Sequence, residues 1–346
     1  MSTEADGGLI VAVSLNPALD LTYTVPALVP GTSHRVTEVV TRAGGKGVNV
    51  ARVLRQLGAP TLVLGLAGGA AGRHIEAELS AADIPAHFTG LAAETRRTVT
   101  VAAGDVATVL NEPGPVVTAA EWATFQEAFA RHVRRARVVV LSGSRPPGVP
   151  ETAYAVLTTV ARSAGAEVIV DTEGSALRHA LTAAPAVAKP NAHEVADLLG
   201  RPVTTCDDAL AAAHLLVRLG ARAGVVSLGA DGFVSVSSTG AHHVRAGEHV
   251  AGNPTGAGDA LAAALAYGLA GRAPVPQVLA LGAAVSAAAV ACPWAGAYDD
   301  AVADRLMPAI TVETLKSHHA EGKQETCLTS PPNWRLSPRP GAAPRN

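Results

Sequence analysis

The sequence predicts an α/β fold: a mostly parallel central sheet with helices on both faces, and a small β-sheet lid. Three observations predict it. First, apolar runs of strand length, such as Leu9-Ile-Val-Ala-Val-Ser-Leu15 and Val138-Val-Val-Leu-Ser142, alternate along the chain with stretches of helical period. Such alternation builds βαβ units, and strands buried on both faces read as continuous apolar runs. Second, two segments, about 21–42 and 87–112, carry β-formers without helical periodicity and interrupt the alternation. They suggest a second, smaller sheet standing off the first. Third, hydrophobic residues make up 48% of the 346 residues while aromatics make up 3%, so a large core must come from close packing of Ala, Val, Leu and Gly. One domain is expected over 9–316. After Leu315 the apolar pattern gives way to Pro, Arg, His and Ser, and 317–346 reads as a disordered C-terminal tail.

Taken in order, the strand at 9–15 ends in Asn16-Pro-Ala-Leu-Asp20. Ligands in open α/β sheets collect at the carboxyl ends of strands, so Asp20 stands where a hydroxyl could be held, although an Asx-turn acid explains it equally well. Arg42-Ala-Gly-Gly-Lys-Gly-Val-Asn49 leads into a helix from Val50 that stops at Gly58. Thr61–Leu66 is a strand, and Gly72–Ala82 a helix. Arg97–Val101 alternates and pairs with Val106–Leu110 across the turn Gly104-Asp105. From Thr118 the pattern is regular, with a helix to Arg135 and the strand 138–142. A helix from about Glu151, the strand Val168–Asp171, a further helix and the strand 187–189 follow. Then come Pro190-Asn-Ala-His-Glu194 opening a helix that ends near Gly200, and the strands at 224–229 and 232–236. Val278–Cys292 reads as a buried core helix, too short and Ala-rich to span a bilayer.

Composition excludes several classes of function. A formal net charge of −2 gives no overall field favouring nucleic acid or anionic lipid, so any anion site must be local. Cys206, Cys292 and Cys327 are odd in number and outside any C-x-x-C spacing, which argues against a structural zinc or a disulfide framework and fits a reducing cytoplasm. Residues 1–8 carry Glu4 and Asp6 without a basic segment and do not read as a signal peptide.

Chemistry concentrates in Asn253-Pro-Thr-Gly-Ala-Gly-Asp259, which opens an apolar helix. The exposed amides and dipole of a helix N-terminus attract anions, and Gly256 and Gly258 let the backbone come close. Asp259 would repel an anion there unless it had work to do, such as taking a proton from an attacking hydroxyl. Taken alone, the stretch is explained slightly better by ordinary helix-start punctuation with a first-turn acid. Gly44-Gly-Lys46 at the start of another helix is a second candidate anion cradle; it is not a Walker A loop, because Gly47 stands where a hydroxyl is required.

Six motifs occur together: Ser14-Leu-Asn-Pro-Ala-Leu-Asp20, Gly44-Gly-Lys-Gly-Val-Asn49, Ser142-Gly-Ser, Lys189-Pro-Asn-x-x-Glu194, Ser227-Leu-Gly229 and Gly256-Ala-Gly-Asp259. In order and spacing the chain resembles the ribokinase-like superfamily, and more narrowly its phosphofructokinase-B branch, which includes 1-phosphofructokinase and tagatose-6-phosphate kinase. The resemblance covers residues 9 to about 310. It implies ATP-dependent phosphorylation of a phosphorylated ketohexose with Mg²⁺, in a protein that dimerises through its lid. It implies that Asp259 is the general base and that Gly256, Ala257 and Gly258 form the anion hole. Asp20, Gly45, Asn49 and Ser142 would meet the sugar, and Lys46, Arg96 and Arg35 the phosphate already on it. Lys189, Asn191, Ser227, Gly229 and Gly232 would line ATP, and Glu194 would hold Mg²⁺ through water.

The chain departs from the family pattern at three places. Arg145 replaces an apolar residue after Ser142-Gly-Ser, Arg97 follows Arg96, and Asn253-Pro254 replaces the Asp-Thr of ribokinase-type loops, which puts a monovalent-cation site there in doubt. The alternatives are a 6-phosphofructokinase, a kinase for an unphosphorylated sugar or a nucleoside, and a non-catalytic sugar-phosphate-binding regulator. Lys46 with Arg96 speaks against a neutral sugar, and an intact Asp259 against the regulator.

Overall fold

A computed structural model of the chain describes residues 8–104 and 106–315; the expected tail at 317–346 lies outside the described residues. The chain runs β1 (Leu9–Ser14), β2 (Ala18–Val25), β3 (Glu38–Gly44), α1 (Lys46–Gln56), β4 (Thr61–Gly68), α2 (Gly69–Ala81) and β5 (Ala86–Leu91). It continues through β6 (Arg97–Ala103), β7 (Val106–Asn111), α3 (Ala119–His132), β8 (Ala136–Ser142), α4 (Ala153–Ser163), β9 (Glu167–Asp171), α5 (Gly174–Leu181) and β10 (Val187–Ala188). After these come α6 (Ala192–Leu199), α7 (Cys206–Arg218), β11 (Ala223–Ser227), β12 (Phe233–Ser237), β13 (Gly240–Arg245), α8 (Ala257–Ala270), α9 (Val275–Val290), α10 (Asp300–Leu306) and β14 (Thr311–Leu315).

Ten strands form one sheet in the order β14-β13-β12-β11-β10-β9-β8-β1-β4-β5. Pairing is parallel from β5 across to β11 and antiparallel from β11 to β14. Strand side chains alternate between two cores, as a period of two requires. Ile10, Ala12, Val138 and Val140 pack with α1, α2, α8 and α9. Val11, Val13, Val139 and Leu141 pack with α3 to α7. Aromatics are few; in the second core Trp122, Phe125 and Phe129 stack along α3, and Phe233 and Tyr298 serve the first. α8 and α9 are buried almost all round, which their Ala-rich, nearly charge-free sequences permit. Among the described residues, no helix is long and apolar enough to cross a membrane.

Capping fixes several helix starts: Thr118, Asn191 and Thr205 each form a reciprocal capping box with the acid three residues on. α1 begins at Lys46, four residues before the expected start at Val50, so the glycine-rich turn carries the first turn of the helix itself.

The small sheet is separate, in the order β3-β2-β6-β7. It places Asp20 opposite Arg42 on one side and Thr98 on the other. The expected lid segment 87–112 starts too early. Residues 86–91 are β5, which pairs parallel with β4 at the edge of the large sheet, because α2 makes a βαβ crossover and buried Thr89 and Leu91 need that cover.

Candidate active site

The parallel strands β1, β8 and β9 end side by side at Ser14, Ser142 and Asp171, and the N-termini of α1 and α8 face the same edge. Gly256 caps α8 with φ 89° and ψ −7°, a left-handed conformation that suits glycine. Gly258 follows in the first turn, where amides lack intrahelical partners. The Ala257 N–H is turned to the Pro254 carbonyl at 3.2 Å. Asp259 is 6% exposed, and its Oδ2 accepts a hydrogen bond of 2.8 Å from Asn49 Nδ2 on the first turn of α1. Burial pushes the Asp259 carboxyl up to about 7, with Asp171 adding to the rise and Lys46, Asn49 and Lys189 opposing it. An acid with that value gives and takes protons near neutrality.

Behind Asp259 lies a buried charge cluster. Lys46 Nζ donates to Asp171 Oδ1 at 3.1 Å and to Glu194 Oε1 at 2.7 Å. Asp171, 1% exposed, also pairs with Lys189 Nζ at 3.2 Å, and Lys189 is 2% exposed. Burial works against the Asp171 charge, but Lys189 and Lys46 outweigh it and hold the group below the ordinary carboxylate value. Burial likewise opposes the Lys46 charge, and Asp171, Glu194 and Asp259 together raise its pKa above the ordinary lysine value. The two carboxylates thus hold the Lys46 ammonium on the α8 and β9 side of the cleft, with partners different from those of Arg96. Lys189 lies under the α8 N-terminus, its Nζ 3.5 Å from where a Cβ on Gly258 would stand.

Next to Lys189, the Asn191 side chain accepts from the Glu194 N–H, and Glu194 Oε2 accepts from the Asn191 N–H at 2.8 Å. Glu194 thus serves as cap and as Lys46 partner at once. Ser227, at the end of β11, bridges to Asn191. Gly229 and Gly232 follow in a tight turn with φ 63° and 79°. These residues make a polar ledge along one side of the charge cluster. Among the described residues, no group of three or more His, Cys, Asp or Glu side chains is placed to hold a metal ion. Magnesium keeps several waters and needs only one or two carboxylates beside substrate phosphates, a demand that Glu194 fits through water; Asp171 has both oxygens paired with lysines.

The opposite wall comes from the small sheet. Asp20 lies so close to Gly44 that a Cβ there would stand 1.9 Å from Asp20 Oδ2. Burial raises the Asp20 carboxyl to about 6, against a hydrogen bond from Thr98 and the charges of Arg96 and Arg42. Arg96 donates through Nε to the Asn16 carbonyl at 3.1 Å and through Nη1 to the Glu112 carbonyl at 3.2 Å. Gly45, with φ 97°, caps α1 and passes close to Pro17 and the Ser14 hydroxyl. Ser142 is buried and its Oγ has no hydrogen-bond partner among the described residues. Arg35 is not brought to the cleft. It is exposed in the connection before Glu38, at the far end of β3 from Gly44, roughly 20 Å away for a strand of that length. Arg145 turns back on its own loop, donating to the Val149 carbonyl at 2.5 Å, and Arg97 is exposed.

Sequence reasoning passed over three residues. Asp171 was visible as an acid closing an apolar strand, but only the sheet order puts it between two lysines. Asn16 ties the walls together, its Nδ2 donating to the Pro113 carbonyl and to Ser144 Oγ at 3.1 Å each. Arg42 stands opposite Asp20 with its guanidinium 5.8 Å from the Trp294 ring centroid, a cation–π contact between segments far apart in the chain that no local pattern announces.

Residues 10–300 match the pfkB family of carbohydrate kinases. The chain is similar to phosphofructokinase-2 from Escherichia coli, solved in complex with fructose-6-phosphate, with 30% identity, TM-score 0.80, and coverage of 87% of this chain and 98% of that one. It is similar to a possible 1-phosphofructokinase from Thermotoga maritima, with 27% identity, TM-score 0.78, and coverage of 89% and 100%. Ribokinase from Arabidopsis thaliana, solved with ribose and ATP, shares the fold at 22% identity and TM-score 0.69, with coverage of 87% and 98%.

Proposed function

The chain belongs to the pfkB family of carbohydrate kinases, and on that premise we propose that it transfers the γ-phosphoryl group of ATP to a phosphorylated ketohexose, as 1-phosphofructokinase and tagatose-6-phosphate kinase do. The observation that carries this reading is the buried Asp259, with its carboxyl raised to about 7, at the N-terminus of α8. A group of that kind accepts a proton from a hydroxyl, and the helix start beside it attracts the charge of a phosphoryl group.

In the proposed reaction Asp259 takes the proton of the acceptor hydroxyl while Asn49 holds the carboxylate in place. The acceptor oxygen bonds to the γ-phosphorus as the bond to the bridging oxygen breaks, and ADP leaves. The α8 N-terminus, Gly256 to Gly258, faces the charge on the transferred group, and Lys189 adds its own beneath it. Phosphoryl transfer depends on this kind of positioning and electrostatics. Asp20 and Ser142 hold sugar hydroxyls, and Gly45 leaves room for the sugar. Arg96, joined by Arg42 on the other side of Asp20, holds the phosphate that the substrate brings, because a dianion calls for more than one cation. Asn191, Ser227, Gly229 and Gly232 line the nucleotide. Glu194 would hold magnesium through water, and the ion would supply charge neutralisation for the nucleotide phosphates.

The small sheet also supports a homodimer joined through it. Val39, Val106, Val109 and Leu110 are 56%, 69%, 51% and 59% exposed and all lie on its strands. Exposed apolar side chains on both edge strands of this sheet fit a second copy of the chain.

A second reading, 6-phosphofructokinase, is favoured by the 30% identity to an enzyme solved with fructose-6-phosphate. Coupled turnover assays with fructose 1-phosphate, tagatose 6-phosphate, fructose 6-phosphate and their unphosphorylated sugars decide among these. Turnover of a phosphosugar is expected; turnover of neutral sugars alone, or of none, refutes the proposal.

A further inference from the structure

Lys46 belongs to the glycine-rich turn Gly44-Gly-Lys-Gly, on the sugar side of the sequence motifs, yet its ammonium is held by Asp171 and Glu194 on the nucleotide side. Its side chain is 34% exposed, whereas Lys189 in the same cluster is 2% exposed. An ammonium has three donors. Two are taken by the carboxylates, and among the described residues the third has no partner. The Lys46 Cβ lies 3.6 Å from the site of a Cβ on Gly143, after β8, and its charge acts on Asp259. The cations flanking Asp20 belong to the other wall, where Arg96 is fastened to the Asn16 and Glu112 carbonyls.

From this geometry we propose that Lys46 is a catalytic residue for the phosphoryl group in transit, and not a contact for the phosphate already on the substrate. The proposal rests on the kinase reading above and deepens it. Asp171 and Glu194 hold the ammonium at the junction of the two substrates, with one donor open to the cleft. As the acceptor oxygen bonds to the γ-phosphorus and the bridging P–O bond breaks, that donor meets a non-bridging oxygen. Lys46 transfers no proton; the acceptor proton goes to Asp259, and the bridging electron pair leaves with ADP. The paired carboxylates keep the ammonium charged and fixed, so it need not reorganise during the step.

The fixed ammonium meets the phosphoryl oxygens best as the group moves towards the acceptor, so its loss should fall mainly on kcat. Steady-state kinetics of Lys46→Gln on the phosphosugar that the wild type turns over should show kcat reduced about 100-fold, with KM for that sugar within about threefold of wild type. The acid limb of the kcat profile should move to higher pH, since Lys46 lowers the Asp259 carboxyl. That shift reports the lost charge beside Asp259, and the split between kcat and KM tests the role in transfer. A KM raised roughly tenfold or more with kcat retained would overturn the proposal, as would unchanged kcat. Lys46→Arg keeps the charge and provides a second test should Lys46→Gln fail to fold. Partial retention of kcat at unchanged KM supports the role, whereas full kcat with a raised KM overturns it. Absence of wild-type turnover on every phosphosugar would instead count against the kinase reading itself.

Discussion

Asn49 Nδ2 donates to Asp259 Oδ2 at 2.8 Å, joining the first turn of α1 to the first turn of α8 across 210 residues of sequence. The bond fixes one carboxylate oxygen and leaves the other for an acceptor hydroxyl. Asp259→Asn keeps the shape and an acceptor for Asn49 but removes the base. Its kcat should fall by about 10³-fold or more while ATP affinity, measured by calorimetry, stays within a few-fold of wild type. Substantial remaining turnover would show that another group takes the proton.

The raised Asp259 carboxyl gives a pH signature. Activity should fall as pH drops through about 7, because the protonated acid cannot accept the hydroxyl proton. Stability runs the other way. The folded chain binds this proton more tightly than the unfolded chain, whose carboxyl has its ordinary value of 3.8, so this site's contribution declines as pH rises from 3.8 to about 7. Asp259→Asn should therefore melt at a higher temperature than wild type at pH 8, with the difference shrinking at pH 5. Equal melting temperatures at both pH values would refute the assignment.

Asp171 shares its charge between Lys46 and Lys189, so Asp171→Asn leaves Lys189 without its carboxylate in a nearly dry position. Breaking a buried pair from one side costs about 3–5 kcal/mol, and denaturant unfolding should show a loss of that order. The acid limb of the kcat profile should move to lower pH, since Asp171 helps to raise the Asp259 carboxyl. An upward shift would contradict the electrostatic account.

Gly44 is held to glycine by space, because a Cβ would meet the Asp20 carboxylate. Gly44→Ala should raise KM for the sugar roughly tenfold by displacing Asp20, with KM for ATP unchanged. A rise confined to ATP would place Asp20 on the wrong substrate.

Dimerisation through the small sheet is tested by Val109→Lys, which puts a charge on an exposed strand position. Light scattering should give a dimer mass for the wild type and a monomer mass for the variant. Equal masses would move the interface elsewhere or remove it.

The sequence by itself determined the architecture and the pieces of the site. Short continuous apolar runs alternating with helix-period segments indicate strands covered on both faces and paired in parallel, so the parallel part of the large sheet was legible apart from β5, which reads like the lid. Gly256 and Asp259 were legible because a helix start and an acid beside it are local features. Tertiary structure alone decided which charges meet. Lys46 looked like a partner of Arg96, but neighbouring strands bring Asp171 and Glu194 to it, and unlike charges in a buried place bind more strongly than any local preference. The family resemblance places Arg35 at the substrate phosphate, yet the rise of β3 carries it to the far end of the small sheet. Helix and strand signals span a few residues and survive in the sequence. Partnerships across 125 or 148 residues, such as those of Lys46, depend on sheet order, which a single chain read linearly does not contain.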